Sequence, residues 1–211
     1  MKSLQYRTEI LLYNKFSKIS DLKKVREEIV QGDESVDSEL LEILENRIIN
    51  LKKIYRLKSV KFIKVIQGKI GLSAKPSLGK LVKLNDQNLS TIITLLTISE
   101  NKKDIEYYVN KYRKDWMWFP LSASELSYDN DFRVKLHAIY DEVIVRLKSG
   151  ETILIHCAAG VHRTGLFTYG LLLKLGYKRN EALELIYELR PVTALERIDK
   201  HWKWSEKMSE M

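Results

Sequence analysis

The spacing of apolar positions changes near residue 60, and the change divides the chain. Before it, Val36, Leu40, Leu44, Ile48, Leu51 and Tyr55 recur every three or four residues, the repeat of an amphipathic helix. Asp33, Ser35 or Asp37 is suited to cap its start, and an earlier helix is expected over Asp21–Val30 with Ser20 as its cap. Residues 1–58 contain no proline and a single glycine, Gly32. They read as a helical N-terminal extension, which either packs on the remainder of the chain or forms an arm for a protein partner.

From residue 60 the pattern alternates between short apolar runs and longer amphipathic ones. Val60–Ile66, Lys69–Leu72, Ile92–Ile98, Trp116–Leu121 and Thr152–Ile155 have the length and content of strands, and Pro120 stops the fourth. Ser73–Leu81 is turn-rich. Helices are expected over Ile105–Tyr112, over the stretch whose apolar face runs from Phe132 to Leu147, and over Gly165–Leu175 with Gly176 as its stop. Asn180 is placed to cap a helix over Glu181–Leu189. Thr193–Glu196 has the form of a capping box opening a last helix. Helices interleaved with buried strands give an α/β class for residues 59–211. The expected architecture is three layers, with a central, mostly parallel sheet of four to five strands flanked by helices.

Composition narrows the partners. Lys and Arg outnumber Asp and Glu by 36 to 28, a formal net charge of +8, which favours anionic partners. No long basic block is present, so nucleic acid is not the expected one. A single cysteine excludes an intramolecular disulfide and fits a reducing compartment. No stretch resembles a signal peptide or is long enough to span a bilayer, so the expected location is the cytoplasm. His137, His156, His162 and His201 show no ligand-like spacing beside carboxylates, so no metal and no cofactor are expected.

The chemistry concentrates in His156-Cys157-Ala158-Ala159-Gly160-Val161-His162-Arg163-Thr164-Gly165. A buried strand delivers Cys157 to its C-terminal end, where open α/β sheets bind ligands. Six residues later Arg163 stands where a helix begins. A short loop ahead of a helix N-terminus gathers backbone N–H groups around an anion, and the helix dipole adds positive potential. Such surroundings stabilise a thiolate. A guanidinium fork binds two phosphate oxygens, a geometry lysine lacks. Gly160 permits a turn that a Cβ would obstruct, and Gly165 lets the helix start close to the sheet. The Thr164 hydroxyl is expected to hydrogen-bond Cys157 and assist its departure. The alternative for Cys157 alone is a buried structural thiol.

This segment resembles the His-Cys-five-residues-Arg-Ser/Thr-Gly loop of the protein tyrosine and dual-specificity phosphatases. The likeness spans about residues 60–208 and is nearest the compact, bacterial-type dual-specificity class; residues 1–58 lie outside it. The resemblance implies a metal-independent phosphatase in which Cys157 forms a phosphocysteine. Arg163 and the amides of Ala158, Ala159, Gly160, Val161 and His162 would bind the phosphate. His156 would support the loop and tune the thiol. His162 itself reads as a loop-surface residue and not a catalytic one, within reach of substrate.

The same resemblance implies a general acid, usually an aspartate some thirty residues upstream and just after a proline. Here Phe119-Pro120-Leu121-Ser122 is followed by Ala123 and Ser124 where that aspartate is expected. Glu125 and Asp129 are the candidate acids, with Asp131 assigned to cap the next helix. The substrate is a phosphorylated protein or a small phosphorylated molecule. Inositol phosphates, phosphoinositides and RNA 5′-phosphates stand as alternatives to phosphotyrosine, and Lys75, Lys80, Lys83 and Arg190 are candidates for the pocket rim. A catalytically weak phosphate-binding module is the reading from a different class.

Overall fold

The computed structural model describes residues 4–31, 38–55, 59–122 and 124–210. They form two compact units, Met1–Ser59 and Val60–Met211.

The first unit holds three helices: α1 (Leu4–Tyr13), α2 (Ile19–Gln31) and α3 (Ser38–Tyr55). The stripe read from the sequence is what α3 buries, through Leu44, Ile48 and Leu51. Leu22 and Val25 of α2 are buried beside it, and the two helices are also linked by an Arg26–Glu45 ion pair of 2.8 Å. Helix α2 begins one residue before Ser20, which therefore lies inside the helix and not at its cap. The caps proposed for α3 at Asp33, Ser35 and Asp37 fall outside the described residues. Helix α1 was absent from the sequence pattern because it buries only one residue, Thr8.

The second unit is built on a five-stranded sheet in the order β1-β2-β5-β3-β4, with β1 (Phe62–Val65), β2 (Gly68–Ala74), β3 (Leu89–Thr94), β4 (Asp115–Trp118) and β5 (Thr152–Cys157). Only the β1–β2 hairpin is antiparallel; the other pairings are parallel. Strand β5 lies between β2 and β3 and is buried along its whole length around the apolar run Ile153–Ile155. On one face, α4 (Leu78–Asn85) and α5 (Lys103–Tyr112) cover Ile92 and Leu154 with Leu81, Leu84, Ile105 and Tyr108. The opposite face meets α6 (Asn130–Lys148) against β2 and α7 (His162–Lys174) against β5. The rings of Tyr140 on α6 and Phe167 on α7 pack at 5.0 Å. Helices α8 (Arg179–Leu189), α9 (Pro191–Leu195) and α10 (Asp199–Ser209) complete this layer. No described helix is long and apolar enough to cross a membrane.

Several local expectations are corrected. The turn-rich Ser73–Leu81 holds the end of β2 and the start of α4, which Ser77 caps by accepting from the Lys80 amide. Strand β3 begins at Leu89 and ends at Thr94, because the chain then turns away; Ile98 is 79% exposed. Helix α7 starts at His162, three residues before Gly165, and a Cβ on Gly165 would meet Thr193 of α9, not the sheet. Asn180 lies inside α8, whose cap position is Lys178; the Glu181 carboxylate accepts from the Lys178 amide at 2.8 Å. Thr193 does not open the last helix: it sits within α9, and its hydroxyl is used elsewhere. Asp131 lies in the first turn of α6, and Asp129 takes the cap position without a side-chain cap bond.

Candidate active site

Parallel pairing aligns the C-terminal ends of β2, β5 and β3, so Ala74 stands beside Cys157 and Thr94 beside His156. The loop Cys157–Arg163 leaves from this edge, and its carbonyls are held in sequence. Cys157 O accepts from His156 Nδ1 at 3.3 Å and Ala158 O from the Lys75 amide at 3.0 Å. Ala159 O accepts from Arg190 Nη2 at 3.3 Å. Gly160 O accepts from Arg190 Nε at 3.1 Å and from Thr193 Oγ1 at 2.7 Å. In a planar trans peptide, the N–H of the next residue points opposite to the carbonyl. Four carbonyls directed outward therefore turn the amides of Ala158, Ala159, Gly160 and Val161 inward. The Gly160 amide meets the Cys157 sulfur at 3.2 Å. Helix α7 follows without a side-chain cap, so its first N–H groups add to this cradle.

Gly160 is required twice over. Its φ is +67°, and a Cβ there would collide with the backbone of Ser73 and Ala74. The close approach of loop to strand is what lets Lys75 hold Ala158.

Cys157 is only 2% exposed, yet it lines a cavity of about 420 Å³ together with Thr97, Glu100, Ser122, Ser124, Ala158, Ala159, His162 and Arg163. Arg163 is gripped by Glu100 in a two-point pair, Nη1–Oε2 at 2.5 Å and Nη2–Oε1 at 2.9 Å, and Nη1 also reaches Leu95 O at 3.1 Å. Glu100 is held in turn by the amide and hydroxyl of Thr97, at 2.7 and 2.9 Å. The hydrogen bond from Arg163 is the main reason that the Glu100 carboxyl is lowered to about 2. That same bond raises Arg163, with the Cys157 charge adding to the effect. Lys102 fixes this loop by donating to the carbonyls of Thr97, Ile98 and Glu100.

His156 is fully buried, and desolvation lowers it to about 4, so the imidazole is neutral. Its partners define the tautomer. Nδ1–H donates to Cys157 O, Nε2 accepts from the Thr94 hydroxyl at 2.8 Å, and Thr94 Oγ1 accepts from Trp116 Nε1 at 2.9 Å. A chain of three hydrogen bonds thus runs from β4 to the loop.

The remaining predicted residues are placed differently. The Thr164 hydroxyl does not bond Cys157; it is buried with no hydrogen-bond partner among the described residues. His162 lines the cavity mouth, exposed, with its ring at 5.8 Å from that of His201. Glu125 and Asp129 are exposed and do not line the cavity. The Glu125 amide donates to Ser122 Oγ and the Asp129 amide to Ser127 Oγ. Ala123 lies outside the described residues. Of the rim lysines, Lys75 donates through Nζ to Asn101 O. Lys80 is lowered by burial and by the nearby Arg190 charge. Glu100 and Thr193 were not foreseen. The available signal for Glu100 was a Thr-x-x-Glu pattern at the C-terminal edge of a buried strand.

A mostly parallel α/β sheet carrying an amide cradle, a cysteine beneath it and a clamped arginine beside it is the framework of the cysteine-loop phosphatases. The family model described as "Tyrosine phosphatase family" matches residues 17–184, and the chain belongs to that family. The match begins earlier than the resemblance read from the loop and takes in α2 and α3.

Among solved structures, Tk-PTP in its active form is similar at 19% identity and a TM-score of 0.53, covering 69% of this chain and 95% of that one. Kinase associated phosphatase, with its catalytic-site cysteine replaced by serine, gives 16% identity and a TM-score of 0.56, covering 72% and 97%. Human DUSP28 gives 13% and 0.54, covering 71% and 95%. No curated protein matches.

Proposed function

We propose that this phosphatase hydrolyses phosphomonoesters through a phosphocysteine on Cys157, acting on phosphotyrosine-bearing proteins with dual specificity. The observation that carries the reading is the inward-turned amide cradle, with its Gly160 N–H on the Cys157 sulfur and Arg163 held at its edge. The cradle and the guanidinium bind three phosphoryl oxygens as charge grows on them. The sulfur attacks phosphorus, and the covalent intermediate divides one difficult step into two. Glu100 occupies one side of the Arg163 fork, which fixes the fork's plane before substrate arrives.

A second reading, a small molecule carrying more than one phosphate, is favoured by Lys80 and Arg190. Arg190 is tied to the loop carbonyls, and its charge opposes that of Lys80, a repulsion that a second anion would relieve. In either reading residues 59–211 carry the chemistry, and the helices of residues 1–58 offer a surface to a protein partner. The mechanism needs Cys157 reduced, which fits a reducing compartment such as the cytoplasm.

The test uses the full chain with chelator present. Rapid acid quench followed by mass spectrometry should find one phosphoryl group on Cys157, and Cys157→Ser should abolish turnover of an aryl phosphate. Unchanged turnover in that variant would sink the reading. A panel of phosphopeptides against inositol phosphates, ranked by kcat/KM, separates the two substrate classes.

A further inference from the structure

Four of the described residues lining the cavity carry ionisable side chains: Glu100, Cys157, His162 and Arg163. Three are already committed. Cys157 is the nucleophile, Arg163 keeps its charge at every working pH, and Glu100 stays ionised because Arg163 lowers it to about 2. None of these can hand a proton to a departing alkoxide. The fourth, an imidazole, is the side-chain type that most often serves as general acid and base.

His162 is also well sited. It is the first residue of α7, immediately after the cradle and immediately before Arg163, and it lines the same cavity as Cys157. Its ring packs edge-on against the buried ring of His201 on α10, at 5.8 Å and 73°, which orients it. Among the described residues, the titratable groups that pack on its ring or line the same cavity are His201 from α10 and Cys157, Arg163 and Glu100. Glu125 and Asp129, by contrast, stand away from this lining.

We infer that His162 is the proton donor and acceptor of the reaction. This rests on the phosphocysteine reading above. In the first step a sulfur–phosphorus bond forms and the phosphorus–oxygen ester bond breaks. The leaving oxygen takes the proton of the His162 imidazolium and departs as an alcohol. In the second step the neutral imidazole takes a proton from the attacking water. The phosphorus–sulfur bond breaks, its electron pair returns to sulfur, and inorganic phosphate and the imidazolium are regenerated. Charge and protons balance over the cycle, and no carboxylic acid is needed.

The experiment measures kcat/KM for the full-length protein and His162→Asn on a series of aryl phosphates, from dinitrophenyl through nitrophenyl to phenyl. Removing a general acid should cost about 100-fold or more on phenyl phosphate. A dinitrophenolate leaves without a proton, so that substrate should change little. The plot of log kcat/KM against leaving-group pKa should therefore steepen in His162→Asn, and equally in His162→Gln. A uniform fall across the series means a positioning role and overturns the assignment; no fall overturns it as well. Steepening in Glu125→Gln or Asp129→Asn instead assigns the proton to those residues. Failure of the wild-type chain on every substrate, or activity surviving Cys157→Ser, overturns the phosphocysteine reading and this assignment with it. A uniform fall or no fall in His162→Asn beside an inactive Cys157→Ser overturns this assignment alone.

Discussion

Around Cys157, four successive carbonyls are tied from β5, β2, α9 and the α8–α9 junction, and the glycine at the bend admits no side chain. Ser122 and residues 124–129, the described part of the loop ahead of α6, show no such framework. Among these described residues, side chains bond mostly to their own neighbours, the acids face solvent, and the long-range ties include the Ser127 carbonyl accepting from Trp204 and Lys207 lying over the Tyr128 ring. On the reading proposed above, anion binding is built into a tied backbone, whereas the proton comes from outside the segment where the resemblance placed it. Phosphate recognition needs directed amides, which only a fixed loop provides. A proton donor needs only one suitably placed side chain.

Substitutions can sharpen or break this contrast. Cys157→Ser should lower turnover of an aryl phosphate by more than about 10,000-fold, since loss of a nucleophile removes the pathway itself. Arg163→Lys keeps the charge but loses the planar fork, and kcat should fall by about 100- to 1,000-fold. Gly160→Ala forces a Cβ into Ser73 at a left-handed φ. It should lower the melting temperature by several degrees, for a cost of about 1–3 kcal/mol, and reduce kcat/KM with it.

Glu100→Gln should cost about 10-fold in kcat by loosening Arg163. Because the Glu100 carboxyl is lowered from 4.5 to about 2, its ion pair contributes fully above about pH 4.5 and is lost as pH falls towards 2. The melting-temperature gap between wild type and Glu100→Gln should close over that window. The smallest effect is expected on the open stretch. Glu125→Gln and Asp129→Asn should alter kcat/KM on phenyl phosphate by less than about twofold, and a larger loss in either would end the contrast.

The sheet and its loop were legible because their signals are local. Strand β5 is buried along its length around the apolar run Ile153–Ile155, and Cys157, Gly160 and Arg163 lie within seven consecutive residues. The partner that clamps Arg163 lies 63 positions away, and the hydroxyl that holds Gly160 lies 33 positions away. Neither separation leaves a mark in a local window. Thr193 shows the cost of reading locally: its spacing to Glu196 satisfies a capping pattern, but its hydroxyl is engaged with the loop. Short helices escaped for a related reason. Helix α9 has five residues and α1 buries only Thr8, so neither shows an apolar period.

The anchors Arg190 and Thr193 come into being only after the segment they secure has already been synthesised. A ribosome that has just released Cys157 and Arg163 from its tunnel has delivered every group of the proposed chemistry, but the peptide planes between them have not yet been tied in place. Some thirty further codons must be read before the donors to Ala159 and Gly160 emerge. On the proposed reading, catalytic competence therefore waits until α9 has followed the loop out of the tunnel, and the nascent thiol is not armed before then.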